Sequence, residues 1–236
     1  MKAKRKSGQR AEQLFRSLES ITAPVAHSDD GDQEILRLTS VAGRAVQNVT
    51  DTSKTLRMKK FRFQLLYQWL VQNLEPCKVA DIGGGKGLLS FLLIQSGWEA
   101  TAIDPFEQPL PGKYKDLLLG SRVKIPVDMK IPYLQAEFQP EMAQPFDLLV
   151  GMHAHGCNVK IIDAAAAYGC GFVIFPCCVI DEPFYPPLGV HWLESLANYA
   201  VKNGQAVYPF RLNFKGQNIG LFKAGRCKLR NSEPSG

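Results

Sequence analysis

The sequence predicts an α/β fold: a mostly parallel sheet of seven strands with helices on both faces, closed by a carboxy-terminal antiparallel hairpin and preceded by a helical extension. Three observations predict it. From Lys78 onward, short apolar runs alternate with longer segments of helical periodicity. A glycine-rich turn, Asp81-Ile82-Gly83-Gly84-Gly85-Lys86-Gly87, carries the first run into the next helix. The last two apolar runs, "AVYPFRLNF" and "IGLFKAG", are separated by "KGQN", a turn composition in which Gly216 and Asn218 tolerate tight backbone geometry.

Taken in order, "AEQLFRSLESI" places Leu14, Phe15, Leu18 and Ile21 at helical spacing. "AHSDDGDQE" reads as a turn or linker in which Ser28, Asp29 or Asp30 caps a following helix. "RMKKFRFQLLYQWLVQNL" is an amphipathic helix with Phe61, Leu65, Leu66, Leu70 and Leu74 on one stripe. "KVADI" is the first strand, "KGLLSFLLIQSG" a helix closed by Gly97, and "EATAID" the second strand. "VKIPV" and "IPYLQAEF" both offer a third strand, and Pro126 and Pro132 leave the choice open. "FDLLVGMH" is the fourth, "IIDAAAAYGC" a helix, "GFVIFPCCVI" the fifth, and "VHWLESLANYAVKNG" an amphipathic helix before the hairpin. The domain boundaries drawn from this pattern are a basic helical and linker extension over residues 1–54, the α/β domain over 55–224 and a tail over 225–236.

Composition narrows the function classes. With 45% hydrophobic residues the chain can bury an ordinary core, and no apolar run approaches the ~18 residues that span a bilayer. The amino terminus is basic without an apolar stretch, which argues against a secretory signal; an organelle address stays open, and Glu12 and Glu19 weaken it. Six cysteines in that context point to a reducing, cytoplasmic setting in which thiols serve packing, metals or catalysis more often than disulfides. The net charge of +6 is concentrated in two clusters: Lys2, Lys4, Arg5, Lys6 and Arg10, and Lys54, Arg57, Lys59, Lys60 and Arg62. Two such clusters favour a polyanionic partner such as RNA, although each alone is also what a solvated tail or helix face looks like. No membrane partner is expected, and oligomeric state is not readable.

The glycine turn has a specific chemistry. Glycines between a strand and a helix permit positive φ and let the backbone approach a ligand. Asp104 lies 23 residues beyond Asp81, at the end of the second strand, where a carboxylate can accept both hydroxyls of a ribose. A dinucleotide fingerprint fits poorly, because its third glycine position falls on Leu88, and a phosphate-binding Walker loop lacks both its spacing and its Lys-Ser/Thr ending. Asp81 at the mouth of the turn would repel a pyrophosphate and attract a cation.

These residues carry a resemblance. "VADIGGGKG" followed by "AID" resembles the first two motifs of class I, Rossmann-like S-adenosyl-L-methionine-dependent methyltransferases, over roughly Arg57 to Ala224. The resemblance implies S-adenosyl-L-methionine as cofactor. It places Asp81 by the methionine part, Gly83, Gly84, Gly85 and Gly87 along the turn, and Asp104 with Pro105 at the ribose. Gln135 or Glu137 falls at the adenine edge, and Met152 is counted among the cofactor-binding residues. The turn "HAHGC" after the fourth strand and "PCC" after the fifth are similar to a subgroup that includes transfer-RNA 2′-O-methyltransferases. This chain differs from that subgroup in having His at position 155 in place of Cys and in showing no amino-terminal cysteine- and histidine-rich module.

Strands four and five are neighbours in that order, so His153, His155 and Cys157 should face Cys177 and Cys178 across the rim. Four readings of this rim stay open: packing; His153 or His155 as catalytic proton acceptor; a zinc site; and a cysteine nucleophile. No metal site is expected, since the spacing "HxHxC…CC" matches no standard zinc knuckle, and the acidic partner of a cysteine nucleophile is missing. The fourth-strand turn lacks the Asn/Asp-Pro-Pro-aromatic motif that grips an exocyclic amine. Phe184 and Tyr185 in "DEPFYPP" offer either an aromatic lip for a base or two packed rings. The sequence therefore predicts a methyltransferase acting on RNA or another anionic substrate. A small-molecule or protein acceptor, or a non-catalytic RNA- or protein-binding scaffold, are the alternatives.

Overall fold

The computed structural model describes residues 2–23 and 58–230, with the side chains of residues 2–8 left aside. Helix α1 (Lys2–Thr22) opens the chain. A 3-10 turn at Lys59–Phe61 leads into α2 (Arg62–Asn73), and β1 (Lys78–Ile82), α3 (Leu88–Ile94) and β2 (Glu99–Ile103) follow in the predicted order. Next come the short strands β3 (Lys113–Lys115), β4 (Arg122–Lys124) and β5 (Tyr133–Leu134). The chain continues through β6 (Leu148–Met152), α4 (Asn158–Tyr168), β7 (Gly171–Phe175), α5 (Trp192–Lys202), β8 (Tyr208–Arg211) and β9 (Ile219–Lys223). The capping residues proposed at Ser28, Asp29 and Asp30, and the cluster members Lys54 and Arg57, lie outside the described residues.

Seven strands form one sheet in the order β5-β2-β1-β6-β7-β9-β8. β1 pairs in parallel with β2 and β6, and β6 with β7, whereas β9 runs antiparallel to both β7 and β8. Period-two alternation sends side chains to both faces. Val79, Leu148, Val150, Val173 and Phe175 pack under α2 and α3, with Leu65, Trp69 and Leu89. Ala80, Ile82, Leu149, Phe172 and Ile174 pack under α4 and α5, with Ile161, Leu193 and Leu196. Both faces of the central strands are thus covered, which is why they read as continuous apolar runs. The fold is the predicted Rossmann-like α/β sheet, and its order reverses between β1 and β6, the place where such sheets bind ligands.

α1 is docked against α5 and β8: Leu18 is fully buried, and Leu14, Phe15 and Ile21 are partly buried in the same apolar cluster. Arg211 Nη2 donates to Ala11 O at 2.8 Å, and Ser17 bonds Glu194. The segment after β9 is also held as far as Arg230, whose N–H donates to Asn73 O at 2.8 Å, while Glu75 N–H donates to Lys228 O at 2.9 Å.

One open choice is settled and one expectation is corrected. "VKIPV" is not a strand of the main sheet: Val123 and Lys124 belong to the separate antiparallel pair β3–β4, which ends before Pro126. The sheet takes Tyr133–Leu134 instead, just after Pro132, whose missing N–H is tolerated at the start of an edge strand. The six cysteines are not all thiols. Cys77, just before β1, and Cys227, just after β9, form a disulfide with Cα atoms 5.7 Å apart.

Candidate active site

The turn after β1 is tied to the end of β2 by backbone. Gly83 N–H donates to Ile103 O at 2.8 Å, and Gly85 N–H to Asp104 Oδ2 at 3.0 Å. Asp104 Oδ1 accepts from Phe106 N–H at 2.9 Å, so the carboxylate is held by two main-chain donors and retains two further acceptor positions. Tyr133, the first residue of β5, donates to Phe106 O at 3.0 Å and approaches Gly85 O at 3.4 Å, pinning both loops together. Burial and then the nearby Asp104 push its phenol up to about 12.

The glycines differ in what surrounds them. Gly83, Gly85 and Gly87 all have positive φ. A Cβ on Gly83 would press on Ala154, one on Gly84 on Asp81, and one on Gly87 would overlap Ile131 Cδ1, whereas a Cβ on Gly85 would meet nothing within 4 Å. The open side of the turn is therefore at Gly85, and at Gly83 the constraint is the packed loop after β6 rather than ligand space. Gly87→Ala should destabilise the cofactor-free protein by more than about 1 kcal/mol, through the left-handed backbone and the clash together. Gly85→Ala should cost less stability but weaken a ligand seated on the turn. Thermal unfolding with ligand calorimetry separates the two, and equal stability losses would contradict this assignment.

Asp81 is 1% exposed and faces α3, where its Oδ2 accepts from Ser90 Oγ at 3.0 Å. Burial raises its carboxyl to about 6, with Asp104 adding repulsion and Ser90 opposing the rise. An acid that is costly to ionise in the protein alone suits a cationic ligand. Gln135 and Glu137 are exposed beyond β5, Pro105 is exposed after β2, and Phe106 presents its ring to solvent beside Asp104. Met152 is buried at the end of β6.

Beyond Met152 the chain turns sharply. His153 has φ 61, a left-handed conformation uncommon for a non-glycine residue, and its N–H donates to Phe175 O at 3.1 Å. Both its ring nitrogens are shielded from solvent with no protein partner among the described residues. Burial, followed by the charges of Arg62 and Lys59, holds this imidazole down at about 4, so it is neutral at neutral pH. His155 is exposed, and its Nε2 lies 3.2 Å from Cys177 Sγ.

The loop after β7 is anchored by Glu182, which is 7% exposed. Its carboxylate accepts from Asn158 N–H at 2.9 Å and Val159 N–H at 3.1 Å, at the start of α4, where an acid satisfies free donors and the helix dipole. Phe184 packs edge-on against Trp192, whereas Tyr185 is 74% exposed, so the two rings do not form a joint lip. The 3-10 turn and first residue of α2 bring Lys59 and Arg62 beside this rim, close enough for both to act on His153. The Arg62 guanidinium is partly buried against the Phe63 ring at 4.3 Å, and its Nε has no partner among the described residues. Sequence reasoning brought Asp81, Asp104, the glycines and the His/Cys rim to this end of the sheet. It missed Phe106, Tyr133, Ser90 and Glu182, of which only Phe106, two residues past a predicted ribose acid, carried a local signal.

No protein-family model matches the chain. Over 105 residues it is 33% identical to a probable tRNA (uracil-O(2)-)-methyltransferase of Caenorhabditis elegans, a match covering 44% of this chain and 18% of that protein. A protein of the same description from Caenorhabditis briggsae is 34% identical over 107 residues, with the same coverage. The chain thus spans less than a fifth of the length of the curated relatives it matches. Among solved structures, a SAM-dependent methyltransferase from Agrobacterium tumefaciens aligns over 75% of this chain and 65% of its own, with a TM-score of 0.43 and 11% identity.

Proposed function

We propose that the chain is an S-adenosyl-L-methionine-dependent methyltransferase and that its acceptor is the ribose 2′-hydroxyl of a uridine in transfer RNA. The observation that carries the reading is a division of charge along one end of the sheet. Asp81 and Asp104 end β1 and β2, whereas Lys59 and Arg62 stand beside the ends of β6 and β7. The acidic half suits a cationic cofactor with a ribose, and the basic half suits a phosphate backbone. Transfer RNA and the uracil nucleotide come from the relatives' descriptions, and the ribose oxygen from the resemblance of the turns after β6 and β7 to those of transfer-RNA 2′-O-methyltransferases.

The cofactor supplies an electrophilic methyl group on a sulfonium. Asp81 places a carboxylate where positive charge must sit, and Gly85 leaves the turn open to it. Asp104 accepts the ribose hydroxyls, Pro105 sets the exit of its strand, and Phe106, Gln135 and Glu137 border the adenine. Met152 forms the floor. His153 holds neutral ring nitrogens that are shielded from solvent, so it would meet the acceptor hydroxyl only once the rim opens around a bound nucleotide. Its lowered basicity makes it a weak proton acceptor, so alignment of the reacting atoms provides most of the rate.

The test is methyl transfer from labelled cofactor to transfer RNA, followed by alkaline hydrolysis. A 2′-O-methyl group blocks attack on the adjacent phosphate, so the label should emerge in an alkali-stable dinucleotide. Label in mononucleotides or in protein would overturn the acceptor, and no transfer to any fraction would favour a binding scaffold. Reversing Lys59, Lys60 and Arg62 to Glu should weaken RNA binding and flatten its logarithmic salt dependence by about 0.9 for each phosphate that is no longer neutralised. Cofactor affinity should not change. A salt slope identical to wild type would reduce the cluster to a solvated surface.

A further inference from the structure

The cysteines sort by environment. Cys170 is fully buried and its Sγ approaches Ala143 O at 3.4 Å, as expected of a thiol serving packing. Cys177 is different: it is exposed, its neighbour Cys178 is half-buried, and both leave the end of β7 just after Pro176. The left-handed turn at His153 folds the loop after β6 toward them, and Glu182 fixes the far side of the loop after β7 on α4. Packing therefore does not account for Cys177, and two thiols and an imidazole converge at the rim.

Their spacing has a chemical meaning. His155 Nε2 is 3.2 Å from Cys177 Sγ, and Cys177 Sγ is 3.6 Å from Cys178 Sγ. The three ligand atoms all lie within 4.8 Å of one another. Zinc bonds to sulfur at ~2.3 Å and to imidazole nitrogen at ~2.0 Å. A tetrahedron of those bonds has edges of roughly 3.8 Å between sulfurs and roughly 3.5 Å between nitrogen and sulfur. The side chains already sit within a few tenths of an ångström of two such edges. Two thiolates with one imidazole are a soft donor set that prefers zinc to magnesium or calcium.

We propose that His155, Cys177 and Cys178 form a three-ligand zinc site that bridges the loops after β6 and β7 and leaves its fourth position open to solvent. Among the described residues no fourth His, Cys, Asp or Glu joins the set, which is the pattern of an open site rather than a closed structural one. Each thiol gives up its proton to solvent as it binds, and neutral His155 ligates through Nε2. The two thiolate charges then balance the metal, with Lys59 close to Cys177. This assignment revises the expectation of no metal, which rested on spacing along the chain. Spacing along the chain does not report a site assembled from two loops. It also gives His155 a ligand role separate from that of the shielded His153. The site does not depend on the methyltransferase reading.

The test uses the full chain, without added histidines, purified in reductant and without chelator. Elemental analysis after zinc addition and desalting should find one zinc per chain. Cobalt(II) alone should give the thiolate-to-metal absorption and the visible bands of a tetrahedral site. Cys177→Ser and Cys178→Ser should each weaken zinc binding by at least tenfold, as should the exposed His155→Ala, whereas Cys157→Ser should not. The cobalt spectrum of the wild-type chain reads the site without relying on the folding of any variant. Sub-stoichiometric zinc after addition, an octahedral cobalt spectrum, or zinc retained by the Cys177→Ser/Cys178→Ser double variant would overturn the proposal. Calorimetry with S-adenosyl-L-methionine on the same samples keeps the two readings apart, because cofactor binding without zinc would sink only the metal site.

Discussion

Asp104→Ala should lower affinity for S-adenosyl-L-methionine by about a hundredfold or more. The carboxylate is pre-aligned, since Gly85 N–H and Phe106 N–H hold its two oxygens at 3.0 and 2.9 Å. Its remaining acceptor positions point away from those donors and are free for the ribose hydroxyls. A hydrogen bond to a charged group contributes about 1.5–3 kcal/mol, so removing two of them together reaches the ~2.8 kcal/mol that a hundredfold change requires. The substitution also frees the Gly85 amide and loosens the turn, which adds to the effect. Calorimetric titration of wild type and variant measures it. Unchanged affinity would mean that β2 does not end at the ribose.

Asp81→Asn should stabilise the cofactor-free protein at neutral pH while removing most of its affinity for the cofactor. In the folded chain this carboxyl titrates at about 6, against 3.8 for the ordinary group, because burial penalises its charged form. The folded state therefore holds a proton that the unfolded state has released between those pH values. The stability this gives is present in full below pH 3.8 and is lost as pH rises through about 6. At neutral pH the buried charge costs on the order of 3 kcal/mol, and Asn, which can still accept from Ser90 Oγ, avoids it. The same charge becomes favourable once a cation neutralises it, so wild-type cofactor affinity should rise from pH 5 to pH 7 and the variant's should not. Thermal unfolding and titration across that range check both halves. A variant less stable at pH 7, or one that binds as tightly as wild type, would contradict the role given to Asp81.

Legibility followed how local each signal was. The strand–glycine–helix turn and Asp104 are read from adjacent residues, and their geometry follows from φ requirements and strand order alone. The amphipathic stripe of Leu14, Phe15, Leu18 and Ile21 was readable, but its docking against α5 and β8 was not, because an apolar stripe does not name what covers it. The third strand was ambiguous for a physical reason: only Tyr133 and Leu134 pair with β2, and two residues carry no period. The role of Glu182 was invisible because the α4 amides it caps lie 23 and 24 residues away, and the Cys77–Cys227 pair closes over 150 residues. The His/Cys rim was an intermediate case. Strand adjacency foretold that His155 and Cys177 would meet, but only coordinates separate a cluster that could hold a metal from two thiols packed apart.

Binding of S-adenosyl-L-methionine to the purified chain is the decisive measurement. At ~100 times its dissociation constant a ligand specific to the folded state adds ~2.7 kcal/mol, which for a chain of this size raises the unfolding temperature by roughly 5–10 °C. The expected result is that shift, together with a saturable calorimetric isotherm that Asp104→Ala moves to about a hundredfold higher ligand concentration or beyond. Neither heat nor a shift with S-adenosyl-L-methionine or its demethylated product would contradict the glycine turn and Asp104 as a cofactor site.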